Sequence, residues 1–179
     1  MMERFLILLK PEKKAKDTVE KANRDDFGFL LDFDDGSMPF RERIMAIEKR
    51  LSELPQIDIP IEHHFAGGIY ARTMSAPRGT CLTGKIYKVP QMIILSEGEI
   101  TIRSEGFNYR IKGPFIYESM AGAKRFGYCH TDVVWTCLTS TSATNKDDAE
   151  SDIYAETYEE LDNILMDAGI INGGSICLV

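Results

Sequence analysis

The sequence predicts a mainly β fold, an antiparallel sandwich or barrel with helices on either side of it along the chain. Between Ile59 and Ser140, segments of five to eight residues rich in Ile, Val, Tyr, Phe and Thr alternate with turn signals. Turns that recur every eight to fifteen residues are typical of an antiparallel all-β domain. Helical patterns precede and follow this region. The chain is therefore divided into an N-terminal part (1–58), a barrel (59–140) and a C-terminal part (141–179).

The N-terminal part begins with a short apolar run. Residues 3–10 predict a strand that Pro11 ends, and residues 12–23 predict a charged helix. Glu3 precedes the run, lysines follow it, and no small-residue cleavage site comes next, so we expect a buried strand rather than a signal peptide. A strand or loop then closes at Gly36.

The clearest helix of the sequence covers residues 38–54. Ser37 is its predicted N-cap, and Pro55 stops it. Its apolar side chains recur at steps of four, three, four and three and form one stripe, made of Phe40, Ile44, Ile47, Leu51 and Leu54. Such a stripe must be buried, either on the barrel or on a second subunit.

Further along the chain, residues 99–103 and 108–112 predict a hairpin. The stretch 141–150 is expected to be a polar linker. Residues 157–160, T-Y-E-E, fit a capping box that opens a short helix ending near Gly169. Residues 175–179 predict a last edge strand.

Composition and charge narrow the function classes. The chain has 179 residues, 44% of them hydrophobic, and no apolar run long enough to cross a membrane. The net charge is −7, yet residues 146–167 carry nine acidic residues and one lysine, while residues 60–140 have a net charge of +3. A nucleic-acid partner is therefore not expected, whereas a local cationic pocket for a small anion is. A solvated face is the usual role of such an acidic segment, and covering the mouth of the barrel is the alternative.

The cysteines support neither a zinc site nor a redox motif. None of the four forms a C-x-x-C pair, so reduced thiols in a cytoplasmic protein are expected. Cys81, Cys129 and Cys137 lie in apolar segments, as does Trp135, and all four are predicted to be core residues.

One glycine-framed stretch carries the candidate site. Residues 79–98 read G-x5-K-x-Y-x3-Q-x6-G, which places Lys85, Tyr87 and Gln91 between two glycines. This spacing resembles the first cupin motif, G-x5-H-x-H-x3-E-x6-G. Residues 113–130 resemble the second cupin motif, with one extra residue, Met120 in place of its proline, and Arg125 in place of its histidine.

The segments H-H-F-A-G-G-I-Y-A-R, G-K-I-Y-K and A-G-A-K-R-F-G-Y-C-H resemble the small cupin-like proteins of tailed phages and prophages. The resemblance implies a cupin-like antiparallel β-barrel (jelly roll) with flanking N- and C-terminal helices. It also implies a homodimer formed through sheet edges.

A cupin metal site uses three histidines and a glutamate. The matching positions here hold Lys85, Tyr87, Gln91 and Arg125, and the two cations offer no lone pair to a metal. We therefore expect no metal or other cofactor and no catalytic residue, but a pocket for a small polar or anionic molecule. Arg72 is a further candidate by even strand spacing. The alternative is that Lys85 and Arg125 face solvent or pair with acidic residues such as Glu97 or Glu118.

The histidines are weaker candidates. Neighbouring residues of a strand face opposite sides, so of His63 and His64 at most one enters the pocket, and His64 is included among the candidates. His130 follows Arg125 by five residues, an odd step that points it to the other face unless a bulge reorients it. A hydrogen-bonded structural role is the competing expectation for these imidazoles. Asp132 is expected to hold a turn rather than to pair with His130.

The sequence lacks a G-x-S-x-G elbow and a phosphate-binding P-loop. It favours a non-catalytic protein that binds a small polar or anionic molecule, for example a nucleotide or sugar phosphate, with a phage accessory or anti-defence role implied by the resemblance. One alternative is a metal-dependent isomerase or dioxygenase that uses His130, His64 and Gln91 or Glu118. Another is a structural protein with no pocket of ligand size.

Overall fold

The computed structural model of the chain describes residues 7–8, 38–105 and 107–170. Within these ranges the chain forms twelve strands and three helices. In chain order they are β1 (Ile7–Leu8), α1 (Phe40–Ser52), β2 (Ile61–Ala66), β3 (Ile69–Ala76), β4 (Thr80–Thr83), β5 (Ile86–Tyr87), β6 (Gln91–Glu97), β7 (Glu99–Ser104), β8 (Phe107–Lys112), β9 (Phe115–Ser119), β10 (Phe126–Cys129), β11 (Val133–Ser140), α2 (Lys146–Ile153), β12 (Tyr154–Ala155) and α3 (Tyr158–Asp167).

Ten of these strands form two antiparallel sheets. Sheet A has the order β1-β4-β10-β7-β8, and sheet B has the order β2-β3-β11-β6-β9. Four strand pairs nest inside one another along the chain, namely β7 with β8, β6 with β9, β4 with β10 and β3 with β11. In each sheet, the two pairs lie side by side through the contacts β10–β7 and β11–β6. This rolled arrangement of eight strands is the jelly roll, so the predicted fold class is confirmed.

The hydrophobic core lies between the two sheets. Residues that alternate along the inner strands meet there, among them Leu95, Ile100, Ile102, Val133 and Trp135. Cys129 and Cys137 belong to the same cluster, and Cys81 is buried under α1, so the core prediction for these three thiols and Trp135 is confirmed. The predicted hairpin is also confirmed as β7 and β8, which pair along their whole length.

Helix α1 covers the outer face of sheet A. Its buried Ile44, Ile47 and Leu51 pack against Cys81 and Phe126, as the apolar stripe predicts. The helix begins later than expected, because Pro39 is its N-cap residue and makes no side-chain capping bond. Proline suits a helix start since its missing N–H has no partner there in any case.

The C-terminal part differs from the expectation in one element. Residues 146–153, predicted to begin as a polar linker, form helix α2, whose N-cap Asn145 accepts a hydrogen bond from Asp148 N at 3.0 Å. The helix buries Ala149 and Ile153 against Tyr70, Tyr87 and Tyr154 of the barrel end. The linker prediction was therefore wrong, because burial of two apolar side chains and a cap stabilise a helix whose surface is almost wholly polar.

The capping box at α3 is confirmed. Thr157 Oγ1 accepts from Glu160 N at 3.1 Å, and Glu160 Oε2 accepts from Glu156 N at 2.9 Å. Strand β12 pairs with β5, with Tyr154 opposite Tyr87. This pairing brings the acidic segment onto one end of the barrel. The predicted helix over 12–23, the turn at Gly36, the cap Ser37 and the strand over 175–179 lie outside the described residues, as does most of the strand over 3–10.

Candidate functional site

A cavity of ≈ 270 Å³ lies between the two sheets, and three cationic side chains line it. Arg72 comes from β3, Lys85 follows β4, and Arg125 precedes β10. Of the described residues that line the cavity, one is a carboxylate, Asp58. Most of the remaining lining residues are aliphatic or aromatic. The structure thus brings Lys85 and Arg125 together at the same cavity, from two segments that are distant in the sequence.

Lys85 lies beside the C-terminal part of the chain. Its Nζ is 3.2 Å from Glu150 Oε2 on α2 and 4.7 Å from the centre of the Tyr154 ring. Glu150 and Tyr154 were absent from the sequence prediction, because both belong to the segment interpreted as a linker or a solvated face. The carboxylate that pairs with this lysine is that of Glu150, whereas the sequence suggested Glu97 or Glu118.

Arg125 is the most deeply buried of the three cations. Its backbone carbonyl accepts a hydrogen bond from Gly84 N at 2.7 Å, which fixes it beside the end of β4. Two residues later, Gly127 lies on the inner face of β10, so the Arg125 side chain also points inward. The side chain is only 5% exposed. Its guanidinium donates to Ser119 Oγ and lies 5.1 Å from the centre of the Tyr87 ring.

Both partners of that guanidinium are neutral. No ion pair joins Arg125 to a carboxylate of residues 38–105 or 107–170. The neighbouring Lys124 is equally buried but is paired, since its Nζ is 2.9 Å from Glu48 Oε1 and donates to the Gly84 carbonyl at 2.8 Å. A buried cation without a counterion is costly, which makes Arg125 a strong candidate for contact with an anion from outside the chain.

Two phenols complete the polar part of the cavity. Burial raises the pKa of Tyr87, an effect to which the nearby Cys137 thiol adds and which Arg125 and Arg72 oppose. Burial also raises the pKa of Tyr154. Both phenols are therefore neutral at physiological pH. Tyr87 Oη donates to Cys137 Sγ at 3.7 Å, a long and weak hydrogen bond that a better acceptor would replace.

Arg72 is placed by strand alternation. On β3 the buried side chains of Tyr70, Met74 and Ala76 face inward, and Arg72 shares their parity and lines the cavity. Arg103 on β7 has the opposite parity to the buried Ile100 and Ile102, and it is not among the lining residues.

The other predicted residues lie elsewhere. Gln91 is buried, and both polar atoms of its amide lack a hydrogen-bond partner, but it is not among the residues that line the cavity. His64 lies on the outer face of β2 beside Glu62, at 3.5 Å. The inward-facing histidine is His63, whose Nδ1 is 2.7 Å from Tyr70 Oη. The choice of His64 for the pocket therefore does not agree with its position, because the register of β2 places the odd-numbered residues inside.

His130 also lies away from the cavity. It follows β10 on the outer side, where its ring contacts Tyr128 edge-on and its Nε2 is 2.7 Å from Thr101 Oγ1. Burial, with a smaller effect of Arg110, lowers the pKa of His130. Asp132 does not pair with it but accepts a hydrogen bond from Arg78 N at 2.8 Å. The five-residue step from Arg125 to His130 therefore correctly predicts that the two side chains lie on opposite faces. No bulge brings His130 into the pocket.

The donor set does not fit a metal. The four positions that match cupin ligands carry two cations, a phenol and an amide. No group of three or more His, Cys, Asp or Glu side chains that could hold a metal ion occurs in the part of the chain that the structure describes. The metal-dependent enzyme based on His130 and His64 has no support in this geometry, since the two imidazoles lie on the outer faces of different sheets.

A second cavity of ≈ 290 Å³ lies on the other side of Arg125. It contains Arg41 as well as Arg125, but also the carboxylates of Glu105 and Glu118. Arg41 Nη1 donates to both carboxylate oxygens of Asp162 at 2.8 Å. Among the described lining residues, the first cavity has three cations and one carboxylate, and the second has two cations and two carboxylates.

The strand order defines a jelly-roll barrel whose inward-facing cavity is lined by Arg72, Lys85 and Arg125. Cupins are among the solved structures to which the chain is similar. KdgF from Halomonas sp. is 15% identical with a TM-score of 0.43, and the alignment covers 51% of this chain and 84% of that one.

An RmlC-like cupin with a double-stranded β-helix fold from Methanocaldococcus jannaschii is 16% identical with a TM-score of 0.40, over 47% of this chain and 81% of that chain. An acetylacetone dioxygenase from Acinetobacter johnsonii is 14% identical with a TM-score of 0.40, and 59% of its length is spanned by 46% of this chain. No family model and no curated protein matches the sequence. Among the described residues, no helix combines the length and apolar character that a membrane span requires.

Proposed function

We propose that this protein binds a small organic anion in the barrel cavity, without catalysis. The observation that carries the proposal is the buried guanidinium of Arg125, which lines the cavity and has no carboxylate partner among the described residues. A bound carboxylate or phosphate would supply the missing counter-charge, and the planar fork of arginine donates two parallel hydrogen bonds to either group.

The other cations support the same interpretation. Arg72 reaches the cavity from β3 and Lys85 from the segment after β4, and the Tyr87 and Tyr154 phenols add neutral hydrogen-bonding groups. Glu150 partly compensates the charge of Lys85, so this lysine adds less than a full charge to the site. Among the described lining residues, three cations face one carboxylate, Asp58, and this balance favours an anion.

The size of the cavity limits the ligand. Its ≈ 270 Å³ lies just below the range of about 300–1,000 Å³ that is usual for small-molecule sites. A single small molecule fits, whereas a polymer does not. Mononucleotides and sugar phosphates are small anions of this kind.

Calorimetric titration with inorganic phosphate, ribose 5-phosphate, AMP and aromatic carboxylates tests the proposal. We expect at least one of these anions to bind, and Arg72→Gln to weaken its binding by tenfold or more. Arg103→Gln is the matched control, because it removes the same charge from the outer face of the barrel and should leave affinity unchanged. Binding that survives Arg72→Gln and Arg125→Met, or the absence of binding to every anion, would overturn the proposal.

A biological role follows from the resemblance to phage and prophage proteins. We propose that the chain acts in the cytoplasm of an infected host and sequesters an anionic host signal, and so serves as an accessory or anti-defence protein. The support is the likeness of the three segments around residues 63–72, 84–88 and 121–130. Phage plating on a host that expresses the protein tests this role. An equal plating efficiency with the wild type and with Arg125→Met would argue against it.

A further inference from the structure

The cavity has a polar and an apolar end, and the strand register shows where each lies. In sheet B, Ile61, Met74 and Trp135 are aligned across β2, β3 and β11, and they form an apolar row on the inner face. Two residues along each strand, the row changes to His63, Arg72 and Cys137. Because side chains alternate with a period of two, both rows face the interior at successive levels of the barrel.

Sheet A repeats this division. Leu82, Gly127 and Ile102 are aligned across β4, β10 and β7, and an added Cβ at Gly127 would meet the Cδ1 atoms of Leu82 and Ile102 at 3.2 and 3.3 Å. Aliphatic side chains therefore fill this level tightly. Two residues along, Gly84 and Arg125 are joined by their backbone hydrogen bond of 2.7 Å. The polar level of sheet A is thus also next to the apolar one.

The two polar levels meet at the same end of the cavity. Tyr87 lies between Arg125 from sheet A and Arg72 from sheet B. The centre of its ring is 5.1 Å from the Arg125 guanidinium carbon, and its Oη is 3.7 Å from Sγ of Cys137, the residue opposite Arg72 on β11. The apolar levels of the two sheets meet at the other end, where Leu82, Met74 and Trp135 line the cavity together with Ile59 and Ile61.

From this arrangement we propose that the ligand is an organic anion with an apolar body, an aromatic or branched aliphatic carboxylate or phosphate. This inference rests on the proposed function and narrows it. A wholly polar anion such as a sugar phosphate would leave the isoleucine, leucine and tryptophan surface in contact with water or with unsatisfied hydroxyl groups. An apolar body buries that surface, while its acidic group contacts the arginines.

The test is a titration of 3-phenylpropanoate, phenyl phosphate, ribose 5-phosphate, AMP and inorganic phosphate, followed by calorimetry. We expect 3-phenylpropanoate or phenyl phosphate to bind at least tenfold more tightly than ribose 5-phosphate, AMP and inorganic phosphate. The neutral 3-phenylpropanamide should bind at least tenfold more weakly than its acid, because it cannot compensate the charge of Arg125.

Two matched variants separate the apolar end from the cationic end. Ile61→Thr places a hydroxyl at the apolar end. It should weaken the binding of the aromatic anions by about fourfold or more, the effect of losing one buried methylene group. Ile94→Thr makes the same change on the outer face of β6 and should have no effect. Both positions are only partly buried, so both variants are expected to fold.

The outcomes distinguish this inference from the proposed function. If ribose 5-phosphate, AMP or inorganic phosphate binds at least as tightly as the aromatic anions and depends on Arg72, the anion site stands and the apolar class is overturned. If no anion binds, both fail. Equal effects of Ile61→Thr and Ile94→Thr on the aromatic anions would also overturn the apolar class.

Discussion

Replacing Arg125 by methionine should abolish anion binding while leaving the unliganded protein about as stable as the wild type. The guanidinium is 5% exposed, and burial of an uncompensated cation costs several kcal/mol. Its hydrogen bond to Ser119 returns about 1.5–3 kcal/mol. Its contact with the Tyr87 ring returns about 0.5–2 kcal/mol. These terms nearly cancel, so we expect the free energy of unfolding to change by no more than about 1–2 kcal/mol in either direction.

Lys124 provides a matched control, because it is the adjacent cation with the same 5% exposure. Its ammonium is paired with Glu48 at 2.9 Å, so Lys124→Met leaves a partly buried carboxylate and the Gly84 carbonyl without their partner. We expect a loss of about 2–4 kcal/mol, below the full cost of breaking a buried pair because Glu48 is partly exposed. Urea unfolding with linear extrapolation measures both variants.

The ligand separates the two variants further. A bound anion at about 100 times its Kd should stabilise the wild type and Lys124→Met by about 2.7 kcal/mol, and Arg125→Met not at all. If Arg125→Met loses as much stability as Lys124→Met in the unliganded protein, the guanidinium is a structural group. The inference from its missing counterion would then be refuted.

Three further predictions concern the barrel itself. Gly98→Ala should cost about 2–4 kcal/mol in urea unfolding, since Gly98 has a φ of +89° and an added Cβ would lie 2.0 Å from Asp132 O, whereas Gly67→Ala, with open space around it, should cost no more than about 1–2 kcal/mol. Because burial lowers the pKa of His130, this group stabilises the fold above its unfolded pKa of about 6.5, and that stability is lost as the pH falls through the lower folded pKa. His130→Gln should therefore flatten the fall in urea midpoint on acidification, and an unchanged profile would contradict this assignment. The homodimer implied by the resemblance is expected to use the edge strand β9, so Ile116→Glu should convert dimer to monomer in light scattering, and a wild type that is already monomeric would exclude it.

Local patterns in the sequence predicted the elements that local interactions stabilise. The stripe of α1 has a helical period, the capping box at Thr157 satisfies its own backbone, and the hairpin of β7 and β8 joins neighbouring segments. Helix α2 was missed because its apolar contribution is limited to Ala149 and Ile153, and these become stabilising only when buried against tyrosines of the barrel.

In the candidate site, too, local patterns predicted some features and long-range packing decided the others. The resemblance to the two cupin motifs implied that Lys85 and Arg125 lie near each other, and both line the same cavity. Glu150 and Tyr154, which contact Lys85, lie 65 and 69 residues further along the chain, and no local pattern connects them with it. The choice between His63 and His64 required the register of β2, since a shift of one residue exchanges the two faces of a strand.

The sequence by itself therefore determined the class of fold, the positions of α1, α3 and the main turns, and the choice of Lys85 and Arg125 as candidate cations, because periodicity and residue chemistry are properties of short segments. The tertiary structure alone decided which side chains share the cavity, that Lys124 has a carboxylate partner among the described residues while Arg125 has none there, and that a polar level lies next to an apolar one. These depend on strand register and long-range packing, in which residues far apart in the chain compensate one another's charge or leave it uncompensated.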